Sequence, residues 1–319
     1  RRTSKKLHLI QAGWFEQEGQ VEQDYREAAA RLCPSVRSVF LDGRKPSVRA
    51  TVWAAADVFL SLSDNVQETF GITPIEAMAS GLPAVVSDWD GYKESVRDGV
   101  DGLRVPTLCP PPGAALDWAA AFASDVMNYS TFIANAAMVT AVDVEAAARA
   151  LETLVNDPAL RRRMGDAGRA RAREIYDWRQ VIRAYEELWR ELAARRAAAP
   201  ESARGAVVPN PLCDDPFRVF GHYASATLAP ETLLALTPAL PADTARYLRE
   251  NGLCTLGRDQ RAPAALIDQL LETLRSEGPL SVASLCLRFE RASAAILVRT
   301  LVYLLKLDLL RVERPASET

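Results

Sequence analysis

Short apolar runs alternate with helical periods through the first hundred residues. Residues 7–11 (LHLIQ), 36–41 (VRSVFL), 58–62 (VFLSL), 84–87 (AVVS) and 103–105 (LRV) read as strands. Residues 21–32, 47–56, 74–80 and 92–97 read as the helices between them, with Pro46 at a helix start and Arg31 at a helix end. Apolar strands that are each separated by a helix predict a parallel sheet covered on both faces. That is a doubly wound α/β fold, in which ligands sit at the carboxyl ends of the strands.

The pattern changes at Pro110-Pro111-Pro112-Gly113. Residues 117–142 are alanine-rich, helical in period, and look like an insertion. Asp143 suits an N-cap for a helix over 144–155, and Asp157-Pro158 opens another that carries Arg161, Arg162, Arg163, Arg169, Arg171 and Arg173. Gly165 and Gly168 argue against its continuity. Residues 178–196 form a long amphipathic helix with Val181, Ile182, Tyr185, Leu188, Trp189 and Leu192 on one face. The small, proline-bearing stretch 197–210 reads as a linker, dividing a first domain (1–196) from a second (211–319). In the second, residues 211–264 give no clear pattern. Helices at 265–277, 281–289 and 292–305 and a strand at 309–313 follow in the order of a winged-helix module.

With 319 residues and 49% hydrophobic content the chain can fill two cores. A net charge of −3 gives no drive toward nucleic acid or anionic lipid. No apolar run approaches the ~20 residues of a membrane span. Cys33, Cys109, Cys213, Cys254 and Cys286 are odd in number and scattered, as reduced thiols of a cytoplasmic protein would be. Two histidines, His8 and His222, exclude a histidine-rich metal site. The chain opens on RRTSKK without methionine and enters an apolar run at once, which we read as a piece of something longer.

The chemistry concentrates in residues 63–80, SDNVQETFGITPIEAMAS. Glu68 lies in a loop that closes on Phe70-Gly71, and Thr73-Pro74-Ile75-Glu76 opens the following helix. A helix N-terminus offers free N–H donors and a positive dipole end to phosphates, and carboxylates bind sugar hydroxyls through charge-assisted hydrogen bonds. Local physics leaves a second reading open: Thr73-x-x-Glu76 as a capping box, worth about 0.5–2 kcal/mol, with Glu68 a solvated loop acid.

Residues 56–106, ADVFLSLSDNVQETFGITPIEAMASGLPAVVSDWDGYKESVRDGVDGLRVP, resemble the C-terminal, donor-binding half of the retaining glycosyltransferases of group 1, which have the GT-B fold. The family's Glu-x7-Glu signature stands as Glu68…Glu76 around Phe70-Gly71. Ser80-Gly81-Leu82-Pro83 matches its helix-to-strand turn, and Asp98-Gly99 and Asp101-Gly102-Leu103 its closing loop. The resemblance reaches from about residue 7 to 192. It implies a Rossmann-like donor domain in which Glu68 meets hydroxyls of the transferred sugar. The amides of Gly71, Ile72 and Thr73, beside Phe70, would face sugar and diphosphate, and Glu76 would hold the ribose. The turn over residues 39–43 is where the base would lie. The donor would be a nucleoside-diphosphate sugar, with no cofactor and no metal, and the acceptor an undefined glycan or lipid. The departures also matter. Asp90-Gly91 stands where the family has a glycine pair. The earlier strand with the Arg/Lys diphosphate clamp and the N-terminal acceptor domain are missing, so these 319 residues alone are expected not to transfer sugar at a useful rate. The competing expectation is a non-catalytic sugar-nucleotide-binding regulator.

Outside this stretch the arginines from 161 to 173 read as a solvated helix face, His222 as a packed or partly exposed side chain, and Asp214-Asp215 as a turn. Residues 263–319 carry seven basic and seven acidic side chains. That balance is poor for binding phosphate backbones, so residues 263–314 are expected to meet protein and not nucleic acid.

Overall fold

The computed structural model describes residues 3–15, 19–198, 213–238, 240–290 and 292–313, so most of the expected linker lies outside the described residues. The first part runs β1 (Leu7–Gly13), α1 (Gln20–Leu32), β2 (Val36–Asp42), α2 (Pro46–Thr51), β3 (Phe59–Ser61), α3 (Ile72–Ala79), β4 (Ala84–Ser87), α4 (Tyr92–Ser95) and β5 (Gly102–Val105). This is the α/β alternation that the apolar runs predict. Its strands are all parallel but fall into two sheets, β1–β2 and β3–β4–β5, where one was expected. β4, the central strand, is buried along its whole length. No described residue before Val66 is buried.

The middle of the chain adds β6 (Thr107–Cys109), α5 (Leu116–Ala123), α6 (Tyr129–Met138), β7 (Ala141–Val142), α7 (Val144–Asn156), α8 (Pro158–Ile175) and α9 (Trp178–Ala198). The alanine-rich stretch is thus two helices and a strand, with β7 antiparallel to β6. Asp143 and Asp157 cap α7 and α8 through their side chains, as expected. α8 does not break at its glycines. A Cβ on Gly165 would collide with the Gly81 carbonyl, and one on Gly168 would lie 3.1 Å from Met78 Cγ, so both let α8 press against α3.

Three members of the arginine run hold carbonyls, and two of them, Arg161 and Arg171, are partly buried, which corrects the solvated-face reading for those two. Arg161 donates to the Leu154 carbonyl (2.6 Å), Arg169 to Ser80 (2.8 Å), and Arg171 to Ser95 (3.1 Å) and Glu94 (2.7 Å). These are the carbonyls left over at helix C-termini, where a cation is most useful. Arg162, Arg163 and Arg173 are exposed.

The last part comprises α10 (Pro216–Val219), β8 (Ala226–Thr227), β9 (Leu233–Leu236), α11 (Ala242–Glu250), α12 (Ala264–Glu277), β10 (Leu280–Ser281), α13 (Val282–Arg288), α14 (Ala294–Lys306) and β11 (Leu310–Val312). β8 pairs with β6, and β9 lies between β10 and β11. One apolar core runs from Val66 and Trp89 through Trp118 and Phe132 to Leu234, Leu270, Leu301 and Leu310, so the segment after 213 shares its interior with the middle of the chain. In α14 the Arg299 guanidinium is 1% exposed, donates to both Asp117 carboxylate oxygens at 2.9–3.0 Å, and lies 4.6 Å from the Trp118 ring centre. Among the described residues no helix is long and apolar enough to cross a membrane.

Candidate functional site

The loop after β3 ends at Gly71, whose φ of 75° is left-handed, and α3 begins at Ile72. Gly71 is therefore the N-cap, two residues earlier than the sequence indicates. Thr73 is the second helical residue, Glu76 lies in the second turn, and no side chain caps the helix. The capping box does not form. With Pro74 third, the first turn holds two N–H groups, those of Ile72 and Thr73, and neither has an intrahelical acceptor. Glu76 is exposed, and its carboxylate has no hydrogen-bond partner among the described residues. Ile72 is 65% exposed and Phe70 45%, the latter edge-on to Tyr176 with centroids 6.2 Å apart.

Glu68 is held differently. Its amide donates to the Asn65 carbonyl (2.9 Å), and its Oε2 accepts from the Tyr92 hydroxyl at 3.3 Å. That hydroxyl also lies 2.9 Å from Ser61 Oγ and meets the Thr73 side chain. Tyr92 is 1% exposed, and burial, with Glu68 adding to it, pushes its pKa up to about 12. A neutral phenol therefore links the end of β3, the loop acid and the first turn of α3. Gly71 has a second reason to be glycine: a Cβ there would run into the Tyr92 ring.

The next loop presses on the first. A Cβ on Gly91 would collide with the Thr69 carbonyl and come within 2.6 Å of Phe70 Cα. Asp90 has φ of 28°, a conformation that glycine takes freely and Asp tolerates. Its carboxylate is turned to the C-terminal part, 4.0 Å from His222 Nε2 and hydrogen-bonded to the Tyr223 hydroxyl. Burial first, and then the Asp90 charge, raise the Tyr223 pKa. The buried Trp89 donates its indole N–H to the Asn65 carbonyl at 3.1 Å, the oxygen that also receives the Glu68 amide.

Sequence reasoning thus named Glu68, Phe70, Gly71, Ile72, Thr73 and Glu76 and missed Tyr92, Trp89 and Asn65. Two large aromatics in an otherwise small-residue turn were the available signal. The turn over 39–43 is organised locally: Arg44 donates to Asp42 and holds its pKa low, and the Gly43 amide donates to the Gly13 carbonyl. Asp215 caps α10 and accepts the Gly113 amide, the turn role expected for it. The His222 side chain is 71% exposed and edge-on to Tyr223.

Residues 1–128 match the family model described as glycosyl transferases group 1. The D-inositol 3-phosphate glycosyltransferase of Nocardia farcinica is 42% identical over 79 residues, which are 25% of this chain and 17% of that protein. The phosphatidyl-myo-inositol mannosyltransferase of Mycobacterium leprae is 31% identical over 170 residues, 52% of this chain and 35% of that protein. The alpha-maltose-1-phosphate synthase of Mycobacterium tuberculosis is 28% identical over 177 residues, 55% and 38% of the two chains. A solved sucrose-phosphate synthase of Thermosynechococcus elongatus aligns at 24% identity and a TM-score of 0.38 over 59% of this chain and 39% of that one, too distant for details of arrangement to carry across. Over the matched part, the chain is similar to the group 1 glycosyltransferases. It spans less than two fifths of the length of these curated relatives.

Proposed function

We propose that residues 7–192 are the donor-binding portion of a retaining glycosyltransferase that uses a nucleoside-diphosphate hexose. One observation carries this reading. The uncapped N-terminus of α3, with open amides at Ile72 and Thr73, stands between a loop carboxylate fixed by Tyr92 and an exposed carboxylate without a partner. Such a site offers N–H donors to phosphate oxygens and acceptors to sugar and ribose hydroxyls. Glu68 is the residue nearest to chemistry, placed to orient the transferred sugar. The acceptor would be a glycan or lipid.

Residues 263–313 we read as a winged-helix-like contact module. The helix order, the antiparallel sheet β10–β9–β11 and the burial of α14 inside the chain support that reading.

Calorimetric titration with UDP-, GDP- and ADP-hexoses, of the chain and of Glu76→Ala, tests the donor site. Removing a charged hydrogen-bond acceptor from a ligand predicts roughly 10- to 100-fold weaker binding. Unchanged affinity removes Glu76 from the ribose role, and no binding by the unsubstituted chain overturns the donor reading.

A further inference from the structure

The two loops that frame the candidate site, residues 62–71 and 88–93, are both tied to the segment after residue 213. Lys306, the last residue of α14, donates to Asp64 Oδ2 and to the Thr140 carbonyl (3.2 Å), and the two charged side chains are only 21% and 22% exposed. On the second loop, the Asp90 amide donates to the Tyr223 carbonyl at 3.1 Å. The Lys93 ammonium donates to the carbonyls of His222 and Ala224, each at 3.0 Å, and Ser225 Oγ to Asp88 Oδ2 at 2.6 Å. The Tyr223 ring meets Trp89 edge-on with centroids 5.5 Å apart. From Trp89 the path continues through the Asn65 carbonyl to the Glu68 amide.

These contacts have a common direction. Each reaches a residue of a donor loop, and two are ammonium groups whose partial burial makes their partners costly to lose. Val66 and Trp89, one from each loop, also lie in the same apolar core as Tyr223, Leu301 and Leu310. α14 occupies the position where a groove-reading helix would stand, yet it is buried and engages Asp64 and Asp117.

We propose that residues 213–313 are a built-in positioning device for the donor loops. α14 acts through Lys306, and the 222–225 strip acts through Lys93 and Trp89; together they set Glu68 and the amides of residues 71–73 in place. The bracing itself is independent of what the loops bind; its consequence for a ligand rests on the donor-site reading. Lys306, Lys93 and Trp89 are positioning residues.

Deleting the segment would strip the shared core, so the test uses single substitutions in the full chain. Lys306→Met, Lys306→Arg and Lys93→Met are compared by backbone amide exchange and by affinity for UDP-glucose, GDP-mannose and ADP-glucose and for the matching diphosphates without sugar. Loss of a half-buried charged tie predicts about 10-fold faster exchange at residues 66–71 in Lys306→Met, with β4 and α12 unchanged. It also predicts about 5-fold or more weaker binding of the nucleotide sugar that binds, with the bare diphosphate changed less than about 2-fold. Lys306→Arg restores most of both, and Lys93→Met affects exchange at residues 88–92. Unchanged exchange in both loops, or a rise spread evenly over β4 and α12, overturns the proposal. Local acceleration in the loops without binding of any probe upholds the brace while ending the donor reading.

Discussion

Residues 3–65 and residues 66–141 use the same alternation of strand and helix but are held together by different means. In the first region no described residue is buried. β1 and β2 are joined by seven register pairs, and α1 is fastened by surface contacts: Arg26 over Phe40 (4.4 Å) and Arg31 over Tyr247 (4.2 Å). In the second region β4 and Tyr92 are buried in two smaller clusters, and Trp89, Trp118 and Phe132 in the core that continues to Leu310. Parallel strands ordinarily have both faces covered. The contrast teaches that the candidate site belongs to the apolar half. Glu68 follows Val66, the first buried residue, by two positions, and its setting comes from the buried Tyr92 behind it, whose hydroxyl also meets Ser61 at the end of β3.

The largest effect that could break this contrast is a core truncation. Leu301→Ala, in the shared core, should cost about 2–5 kcal/mol in denaturant unfolding, whereas Leu9→Ala in half-buried β1 should cost about 1 kcal/mol. Equal losses would erase the distinction. Gly71→Ala sharpens it at the site. Left-handed backbone and the Tyr92 ring together predict about 1–3 kcal/mol, while Gly19→Ala, also at positive φ but in open space, should cost about 1 kcal/mol or less; thermal melts would compare them. Among the arginines of α8, Arg169→Ala should cost about 1 kcal/mol through the freed Ser80 carbonyl, and exposed Arg162→Ala less than about 0.5 kcal/mol.

A pH series gives the smallest signal at neutrality and a specific one in alkali. Tyr92 keeps its proton in the fold to about 12 against an ordinary 10.0, because burial and Glu68 disfavour the phenolate. Its contribution to stability is therefore complete below pH 10.0 and is lost as the pH rises toward about 12. Ultraviolet titration should show late tyrosine ionisation, shared with Tyr223 and Tyr303, that shrinks by one group in Tyr92→Phe. Loss of that group in the variant with unchanged alkaline stability would contradict the linkage.

Much of the fold could be read from the chain because local rules govern it. Apolar runs marked β2, β4 and β5, and Asp143 and Asp157 marked two helix starts. The glycines of α8 misled, since their purpose is contact with Met78 and Gly81, residues more than eighty positions away. The division into two parallel sheets and the placement of β9 between β10 and β11 depend on pairing partners that periodicity does not name. At the site the resemblance pointed to Glu68 and Glu76, but local rules placed the N-cap at Thr73. Gly71 took that role because only its left-handed backbone turns the loop beside Tyr92. The ties from Lys306 to Asp64 and from Trp89 to Asn65 span 242 and 24 positions, and such pairs leave no local trace.

The central claim is that the open end of α3 receives the diphosphate of a sugar nucleotide. Backbone amide exchange of the full chain, with and without a saturating nucleoside-diphosphate hexose, tests it most directly. The account predicts slowed exchange at Gly71, Ile72 and Thr73 and no change in α11 and α12. Binding that leaves those three amides exchanging at their free rates would contradict it.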